Sequence, residues 1–342
     1  AAISPCSVAS TDEKILNIQK TPLADAGADA AVCAGSQHQL SATASNYSSV
    51  LWTTSGNGTF SSTNSLTSVY TPGSADITNG TVTLTLTASA ISPCLLASSD
   101  SKVLSVQKEP LVNAGPGFTI CENSIHYLSG VVAFYYTSLQ WSSSGDGTFN
   151  NANIKNPVYT PGVMDKINGS VQLTLTANPL DPCTVSKSSS KILTISKNPM
   201  ADAGQDVTIC QDAGFIQLSG NASNYSSLIW RTNGDGTFSN PSNLNPVYTP
   251  GLTDISNGNA SLTLRANAST PCTIAAIDVV IINIQKQPEA DAGDDAIVCE
   301  TNNFNISNSS AAHYSELLWE TSGDGIFNNE AIIHPVYTPG SA

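Results

Sequence analysis

Apolar and polar residues alternate along several short stretches of the chain. The segment Thr81–Ala88 reads TVTLTLTA, which places Val82, Leu84 and Leu86 on one face and threonines on the other. His38–Ala44 (HQLSATA) alternates in the same way. A period of two residues is typical of a β-strand that is buried on one face. No stretch shows the period of an amphipathic helix, so we predict an all-β fold in which no helix exceeds two turns.

The strand pattern itself repeats about every 89 residues. The tryptophans follow this period, at Trp52, Trp141, Trp230 and Trp319. One series of cysteines comprises Cys33, Cys121, Cys210 and Cys299, and a second comprises Cys6, Cys94, Cys183 and Cys272. The period is too long for one unit of a helical solenoid, but it is close to the size of a whole β-sandwich domain.

We therefore divide the chain into three complete repeats, 21–108, 109–197 and 198–286. Residues 1–20 are predicted to hold the C-terminal strand of a preceding repeat, and residues 287–342 the N-terminal part of a further, truncated repeat. Seven or so short strands separated by turn residues predict an immunoglobulin-like sandwich in each repeat. We expect the core of each repeat to contain its tryptophan.

A Gly-Asp-Gly or Gly-Asn-Gly loop follows every tryptophan, as in WSSSGDGTFNN at Trp141–Asn151. Glycine and aspartate tolerate the positive φ values of a tight hairpin, and we interpret the loop as such a turn. Its acidic position is Asn57 in the first repeat and Asp146, Asp235 and Asp324 in the others. One carboxylate offers too few oxygens for calcium, which takes six to eight.

Several motifs of the repeat resemble those of a known family. They are PLADAGADAAVCAG, LWTTSGNGTF, VYTPG, DITNGTVTLTLTA and SPC. Together they are similar to the PKD-like or Ig-like tandem repeats of very large Bacteroidota surface proteins, which include gliding-motility-type adhesins. The resemblance implies tandem Ig-like domains, secretion by a type IX system and a place on the surface of a Gram-negative cell. The second repeat departs from the pattern, with VNAGPGFTIC in place of ADAGADAAVC.

Composition narrows the possible functions. The chain carries 12 Lys plus Arg against 26 Asp plus Glu, a net charge of −14. An acidic chain without a basic cluster argues against nucleic acid and anionic lipid as partners. Apolar runs such as Val279–Ile282 are far too short for membrane insertion.

No motif for an enzyme is present. The chain lacks Gly-x-Ser-x-Gly, a phosphate-binding Gly-Lys-Ser/Thr loop and His-Glu-x-x-His. His38 and His126 occupy one position of the repeat, where the third repeat is expected to place Phe215. His313 and His334 have no candidate catalytic partner close in sequence. We therefore predict neither catalysis nor a required cofactor.

The eight cysteines are too widely spaced for zinc sites and indicate extracellular disulfides. Pairing within a repeat, such as Cys33 with Cys94, remains open, although these positions should lie at opposite ends of a sandwich. Free thiols are a further alternative. Pairing between repeats fits better. If Val82 faces Leu104, the tip of the last hairpin extends roughly 16 Å beyond the sheet towards the preceding repeat. The favoured pairs are Cys33–Cys183 and Cys121–Cys272, which leave Cys6, Cys94, Cys210 and Cys299 without a partner here.

Aspartates flank the short linkers between repeats. The pairs are Asp25 with Asp29, Asp202 with Asp206 and Asp291 with Asp294. They are candidate calcium ligands at the joints, although solvated acidic turns are the simpler interpretation, and the second repeat has Asn113 and Gly117 instead.

A structural function follows from this organisation. We expect a segment of an extracellular stalk or fibre, stiffened by disulfides, whose partners are neighbouring repeats of the same chain. The alternatives are a module that binds glycans or surfaces through outer-face Tyr, Thr and Asn, and a subunit of a multi-chain filament. Outer-membrane secretion or motility proteins are further possible partners. Tyr47, Tyr136, Tyr225 and Tyr314 recur five residues before each tryptophan, and either line such a ligand face or cap the core.

Overall fold

The computed structural model describes residues 1–341, which divide into two compact units. The first comprises Ala1–Thr119 and Ser124–Ile195, and the second comprises Ile120–Asn123 together with the chain from Ser196 onward. The first unit contains the first repeat and most of the second. The second unit contains the third repeat, the truncated repeat and two short pieces of the second, Ile120–Asn123 and 196–197.

The first repeat folds into nine strands and one short helix. They are β1 (Leu23–Asp25), β2 (Ala30–Cys33), β3 (His38–Gln39), β4 (Thr43–Ser45), β5 (Tyr47–Thr54), β6 (Thr59–Phe60), β7 (Val69–Thr71), α1 (Ser74–Asn79), β8 (Thr81–Ala90) and β9 (Ser98–Gln107). One layer is the four-stranded sheet β2-β9-β8-β5, in which β2 runs parallel to β9. The pair β1-β4 and the three-stranded sheet β3-β7-β6 complete the sandwich.

The second and third repeats have the same element order. The second contains β10 (Leu111–Asn113), β11 (Phe118–Cys121), β12 (His126–Tyr127), β13 (Val132–Phe134), β14 (Tyr136–Ser143), β15 (Thr148–Phe149), β16 (Val158–Thr160), α2 (Val163–Asn168), β17 (Ser170–Pro179) and β18 (Lys187–Ser196). The third contains β19 (Met200–Asp202), β20 (Val207–Cys210), β21 (Ile216–Gln217), β22 (Asn221–Ser223), β23 (Tyr225–Thr232), β24 (Thr237–Phe238), β25 (Val247–Thr249), α3 (Leu252–Asn257), β26 (Asn259–Ala268) and β27 (Ala276–Gln285). The truncated repeat contains β28 (Glu289–Asp291), β29 (Phe304–Asn305), β30 (Ser310–Ala312), β31 (Ile326–Phe327) and β32 (Val336–Thr338).

The prediction of tandem all-β, Ig-like sandwiches is confirmed, and the long strands explain why they form. Val82, Leu84 and Leu86 of β8 are buried in the core, while the threonines between them lie on the outer face. Val82 lies opposite Leu104 of β9, which is the register expected from the alternation. A shift by one residue would turn every apolar side chain towards water, so the pattern specifies this register.

Three helices of six residues each were not apparent in the sequence. In α1, the N–H of Gly73 donates to Asp76 Oδ2 over 2.9 Å. The helix ends at Gly80, whose φ of 78° is the left-handed conformation of a C-terminal cap. Six residues are too few to establish a helical period, so these helices depend on their caps and on packing rather than on propensity.

The interpretation of the Gly-Asn-Gly loop as a tight hairpin was wrong. Strand β5 pairs with β8 and β6 pairs with β7, so the loop crosses from one sheet to the other. Neither Gly56 nor Gly58 has a positive φ. These glycines are required because a Cβ at Gly56 would overlap the carboxylate of Asp76, and one at Gly58 would overlap the hydroxyl of Tyr70.

Two expectations at the ends of the chain differ from the structure. Residues 1–20 form no strand, because the equivalent strand β9 is held by hydrogen bonds to β8 and β2, and no such neighbours pair with residues 1–20. Trp319 is only partly buried, because the truncated repeat has no counterparts of β8 and β9 within residues 287–341. The other three tryptophans are at most 2% exposed.

Candidate functional site at the joints between repeats

A disulfide joins the first repeat to the second. Cys33, at the end of β2, is bonded to Cys183, with an S–S distance of 1.98 Å and a Cα–Cα distance of 4.8 Å. Cys183 lies at the tip of the β17–β18 hairpin, and its Sγ lies 3.5 Å from the carbonyl oxygen of Gln107 at the end of β9. The hairpin tip of one repeat therefore lies against the final strand of the repeat before it.

The second disulfide joins the second repeat to the third in the same way. Cys121, at the end of β11, is bonded to Cys272, with an S–S distance of 1.99 Å and a Cα–Cα distance of 4.9 Å. Cys272 lies in the tip of the β26–β27 hairpin, 3.5 Å from the carbonyl oxygen of Ser196. These two bonds are the inter-repeat pairs that the sequence favoured over pairing within a repeat.

Local geometry places each hairpin cysteine in position to bond. The N–H of Cys183 donates to the carbonyl of Leu180 over 2.9 Å, which closes the turn at the hairpin tip. Antiparallel pairing ends at Ala177 and Lys187, so the tip extends beyond the paired part of the sheet. Such a projection allows a residue in one sandwich to reach a neighbouring one.

Polar contacts supplement the first disulfide at its joint. The ammonium of Lys108 donates to the carbonyl of Thr78 over 3.2 Å, at the C-terminal end of α1. The same ammonium lies 5.3 Å from the ring centroid of Tyr135 in the second repeat. An exposed ion pair between Lys187 and Glu109, 3.1 Å apart, adds little because both charges remain in water.

The aspartates considered as calcium ligands accept hydrogen bonds from nearby N–H groups. Asp25 Oδ1 accepts from the N–H of Gly27 over 2.8 Å, and Asp29 Oδ1 accepts from the N–H of Val103 over 2.8 Å. In the second repeat, Asn113 Oδ1 accepts from the N–H of Gly115 over the same distance. An amide oxygen can therefore replace the carboxylate in this turn without a change in its geometry.

The remaining candidate aspartates are engaged in the same manner. The contacts are Asp202 Oδ1 with Gly204 N at 3.0 Å, Asp206 Oδ1 with Ile281 N at 2.8 Å, Asp291 Oδ1 with Gly293 N at 2.9 Å, and Asp294 Oδ2 with Asn308 Nδ2 at 2.9 Å. Within residues 1–341, no three acidic, His or Cys side chains form a group that could hold a metal ion. Asp25, Asp202 and Asp291 therefore stabilise local turns, whereas Asp29 and Asp206 bond to the last strands of their repeats, β9 and β27.

The recurring tyrosines differ in exposure from repeat to repeat. Tyr47 packs against the core of the first repeat, and Tyr136 is likewise partly buried. Tyr225 is 38% exposed and Tyr314 is 40% exposed. Tyr47 and Tyr136 are therefore less exposed than Tyr225 and Tyr314.

Buried cationic side chains were missed in the sequence. Lys102 is 5% exposed, and its Nζ lies 3.4 Å from Nε2 of His38. Burial lowers the pKa of Lys102, although nearby Asp29 opposes this shift, and burial with the Lys102 charge lowers the pKa of His38. The only sequence signal was a lysine at an inward position of an alternating strand.

The second repeat has an equivalent pair. Lys191 and His126 are both buried, and burial lowers the pKa of each, with the Lys191 charge adding to the shift of His126. In the third repeat Ile216 of β21 takes the place of the histidine, since both residues pair with the same tyrosine of the repeat. The assignment of Phe215 to this position was therefore wrong by one residue.

A buried carboxylate connects the loop after the tryptophan strand to the short helix. Asp76, which is 1% exposed, accepts a 2.7 Å hydrogen bond from the hydroxyl of Tyr70. Burial raises the pKa of Tyr70 to about 12, and the hydrogen bond and charge of Asp76 act in the same direction. Tyr159 with Asp165, and Tyr248 with Asp254, repeat the contact over 2.6 Å. Each of these tyrosine–aspartate pairs is shielded from water and stabilises its sandwich.

The strand order and its repetition define the chain as a tandem array of Ig-like β-sandwich domains with inter-repeat disulfides. Among the described residues there is no helix with the length and apolar character required to cross a membrane. No protein-family model matches the chain, and no curated protein matches it.

Solved structures of tandem domains are similar to the chain at low sequence identity. The I-band fragment I67–I69 of titin is 13% identical, over 78% of this chain and 99% of that chain, with a TM-score of 0.46. The protocadherin GammaB4 extracellular domain is 15% identical, over 94% and 62%, with a TM-score of 0.45. Drosophila N-cadherin EC1-4 is 13% identical, over 78% and 76%, with a TM-score of 0.38.

Proposed function

We propose that the chain is a segment of an extracellular structural stalk or fibre that resists extension. The observation that carries this proposal is the pair of disulfides, Cys33–Cys183 and Cys121–Cys272, each of which bonds one repeat to the next. A disulfide within one domain would stabilise only that domain. A disulfide between repeats also limits how far the two repeats can separate.

The two disulfides enclose overlapping loops. The first spans 150 residues and the second 151, and the segment 121–183 belongs to both. A chain pulled from its ends extends along its shortest covalent path. Between Cys33 and Cys272 this path passes through both disulfides and includes only the shared segment. Even complete unfolding of the three repeats would therefore leave most of their residues unextended.

Single-molecule pulling tests this mechanical role. The oxidised chain should reach a final length roughly 600 Å shorter than the chain in which all four bonded cysteines are changed to serine, at about 3.3–3.6 Å per residue. The variant Cys33→Ser/Cys183→Ser, which retains only the second disulfide, should extend to an intermediate length.

Circular dichroism of the unloaded proteins provides the control, because the variants must retain the β spectrum of the oxidised chain for the comparison to hold. Equal final lengths for the oxidised chain and the four-serine variant would contradict the mechanical role of the disulfides.

The proposal also includes the cellular setting of the chain. Disulfides are typical of oxidising, extracellular compartments. The motif resemblance supports the cell surface of a Gram-negative, Bacteroidota-like bacterium, an adhesin-type parent protein and type IX secretion. Its partners would be neighbouring repeats and other copies in a fibre, with surface glycans or outer-membrane secretion and motility proteins at its ends. Sensitivity of cell-surface display to loss of type IX secretion would test this setting.

A further inference from the structure

The turn that carries a first-series cysteine closes with the same hydrogen bonds whether or not the cysteine is bonded. In the first repeat the N–H of Ala34 donates to the carbonyl of Gln107 over 2.8 Å, and in the third repeat the N–H of Gln211 donates to the carbonyl of Gln285 over 3.0 Å. The turns that follow Cys33 and Cys210 close with hydrogen bonds of equal length, 3.0 Å, to the carbonyl of the cysteine. The unbonded turn of Cys210 therefore has the hydrogen bonds of the bonded turn of Cys33, although its third residue, Asp212, lacks the positive φ of Gly35.

The unbonded hairpin of the first repeat also has the bonded geometry. The N–H of Cys94 donates to the carbonyl of Ile91 over 2.9 Å, as the N–H of Cys183 does to its own turn. Cys94 Sγ lies 3.4 Å from the carbonyl oxygen of Gln19, against 3.5 Å from Cys183 Sγ to Gln107. The unbonded hairpin of Cys94 thus makes the same contacts as the bonded hairpin of Cys183.

Burial distinguishes the bonded turn of Cys121 from the unbonded turn of Cys210. Ile120 and Cys121, beside the bonded hairpin of Cys272, are 5% and 8% exposed. Their counterparts in the third repeat are more accessible, since Ile209 is partly exposed and Cys210 is exposed. The surface next to Cys210 is therefore the surface that a hairpin tip covers in the second repeat.

We propose that the turn of Cys210 is a docking and disulfide-acceptor site for the Pro-Cys hairpin tip of another repeat of this kind, and that the hairpin of Cys94 is the matching donor. This inference extends the proposed stalk function. The biological purpose of the site rests on that function, whereas the docking itself does not. The chemical class of the ligand is a β-hairpin that carries a cysteine after proline at its tip, as in the two hairpins bonded within this chain.

The reaction can be followed by thiol–disulfide exchange on the intact chain. The probe is a cyclised peptide of residues 176–188, whose cysteine sulfur is activated as a mixed disulfide with thionitrobenzoate. The thiolate of Cys210 attacks the peptide sulfur, and a new S–S bond forms as the bond to thionitrobenzoate breaks. The leaving group departs with the electron pair, and the Cys210 proton passes to solvent. A scrambled peptide with the same activated cysteine serves as the reference.

We expect Cys210 to react at least about tenfold faster with the hairpin peptide than with the scrambled one, because docking raises the effective concentration of the two sulfurs. Cys299 is the matched control. Its turn closes in the same way, with a 2.9 Å hydrogen bond from Asn302, but no strand precedes it to form the docking surface. Cys299 and exposed Cys6 should react equally with both peptides, and Cys210→Ser should abolish the selective labelling.

Equal rates at Cys210 for the two peptides, with the cyclised peptide shown to be a hairpin by NMR, would overturn the proposal. A second arm identifies the source of the hairpin. In a glutathione redox buffer, links between Cys94 and Cys210 of different copies would show that another copy supplies it. Selective peptide labelling without such links would assign it to a further repeat. The pulling experiment does not involve Cys210, so failure here would leave the mechanical role of the other two disulfides intact.

Discussion

At the residue scale, the fold of each complete repeat depends on one tryptophan between its two layers. Trp52, Trp141 and Trp230 are at most 2% exposed. The indole Nε1 of Trp52 donates to the carbonyl of Ser65 over 3.0 Å. The indole therefore contributes both apolar area and one hydrogen bond to a loop of its own repeat.

Trp141→Ala should lower the free energy of unfolding of the second repeat by about 3–5 kcal/mol, because it leaves a large cavity in the core. Hydrogen exchange of β14 and β17, followed by mass spectrometry, measures the loss within that repeat. Trp319→Ala is the matched control and should cost distinctly less, since the surroundings of Trp319 are incomplete. Equal losses at the two positions would contradict this account of the core.

The buried lysine–histidine pairs distinguish the first two repeats from the third. Lys191 Nζ lies 5.5 Å from the ring centroid of Trp141, and the ring of His126 stacks on Phe118 at 5.0 Å. In the first repeat Asp29 lies near the equivalent lysine, but the second repeat has Gly117 at that position. Neither Lys191 nor protonated His126 therefore has an acidic side chain at that position to compensate its charge.

The second repeat should lose stability as the pH falls below about 6.5, the ordinary pKa of histidine. Because the folded-state pKa of His126 is lowered, the unfolded state binds more protons in this window, so acid favours unfolding. The double variant His126→Ile/Lys191→Val copies Ile216 and Val280 of the third repeat and should remove this dependence. Hydrogen exchange of β12 and β18 at pH 7.5 and 5 is the measurement, and an unchanged pH dependence in the variant would contradict it.

At the scale of elements, the Gly-Asp-Gly loop and the short helix stabilise each other. Asp146 Oδ2 accepts from the N–H of Met164 over 3.0 Å, and its Oδ1 accepts from the N–H of Asp165 over 3.1 Å. These hydrogen bonds hold the pKa of Asp146 below its usual range. The side chain satisfies helix N–H groups that have no partner within α2. In the first repeat Asn57 Oδ1 makes the equivalent contact with Ala75 over 2.9 Å.

Asp146→Ala should reduce amide protection in α2, because two N–H groups lose their acceptor. Asp146→Asn follows the first repeat and should retain most of the protection. The carboxylate pKa is lowered on folding, so its contribution in the native chain is present above the unfolded pKa of about 3.9 and is lost as the pH falls through the folded value. Residue-resolved hydrogen exchange checks both variants, and equal protection in both would refute the capping role.

At the scale of the whole molecule, the disulfides convert a string of separate sandwiches into a chain whose neighbouring repeats are covalently bonded twice, once by the linker and once by sulfur. In the chain-entropy model, loops of 150 and 151 residues correspond to roughly 4–5 kcal/mol each. This free energy stabilises the joints as well as the sandwiches, because each disulfide restricts two repeats at once.

Removal of one disulfide should loosen one joint and leave the other unchanged. In Cys33→Ser/Cys183→Ser, a lysine-specific protease should cleave after Lys108 faster than in the native chain, because that linker becomes the only covalent connection of its joint. Cleavage after Lys197, in the linker next to the retained Cys121–Cys272 bond, is the internal control and should be unaffected. Similar acceleration at both lysines would indicate general destabilisation instead.

The sequence by itself determined the long strands, the register of β8 against β9 and the period of the repeat. Alternation in β8 and β17 is a local property that only one pairing can satisfy with its apolar face buried. The hairpin length that follows from this register places Cys183 and Cys272 beyond their sheets, and this position already favours the inter-repeat disulfides.

Only the tertiary structure decided the features that depend on partners distant in the chain. The loop after Trp52 crosses between the sheets because β6 pairs with β7. Its position is also held by Asp76, which lies 19 residues after Asn57 and accepts a hydrogen bond from the N–H of Asn57. The glycines and the polar residue of the loop do not by themselves reveal either contact. Trp319 remains partly exposed, although its sequence neighbourhood matches that of Trp141. Burial is a property of the layers packed around a side chain, and a local pattern cannot show whether those layers are complete.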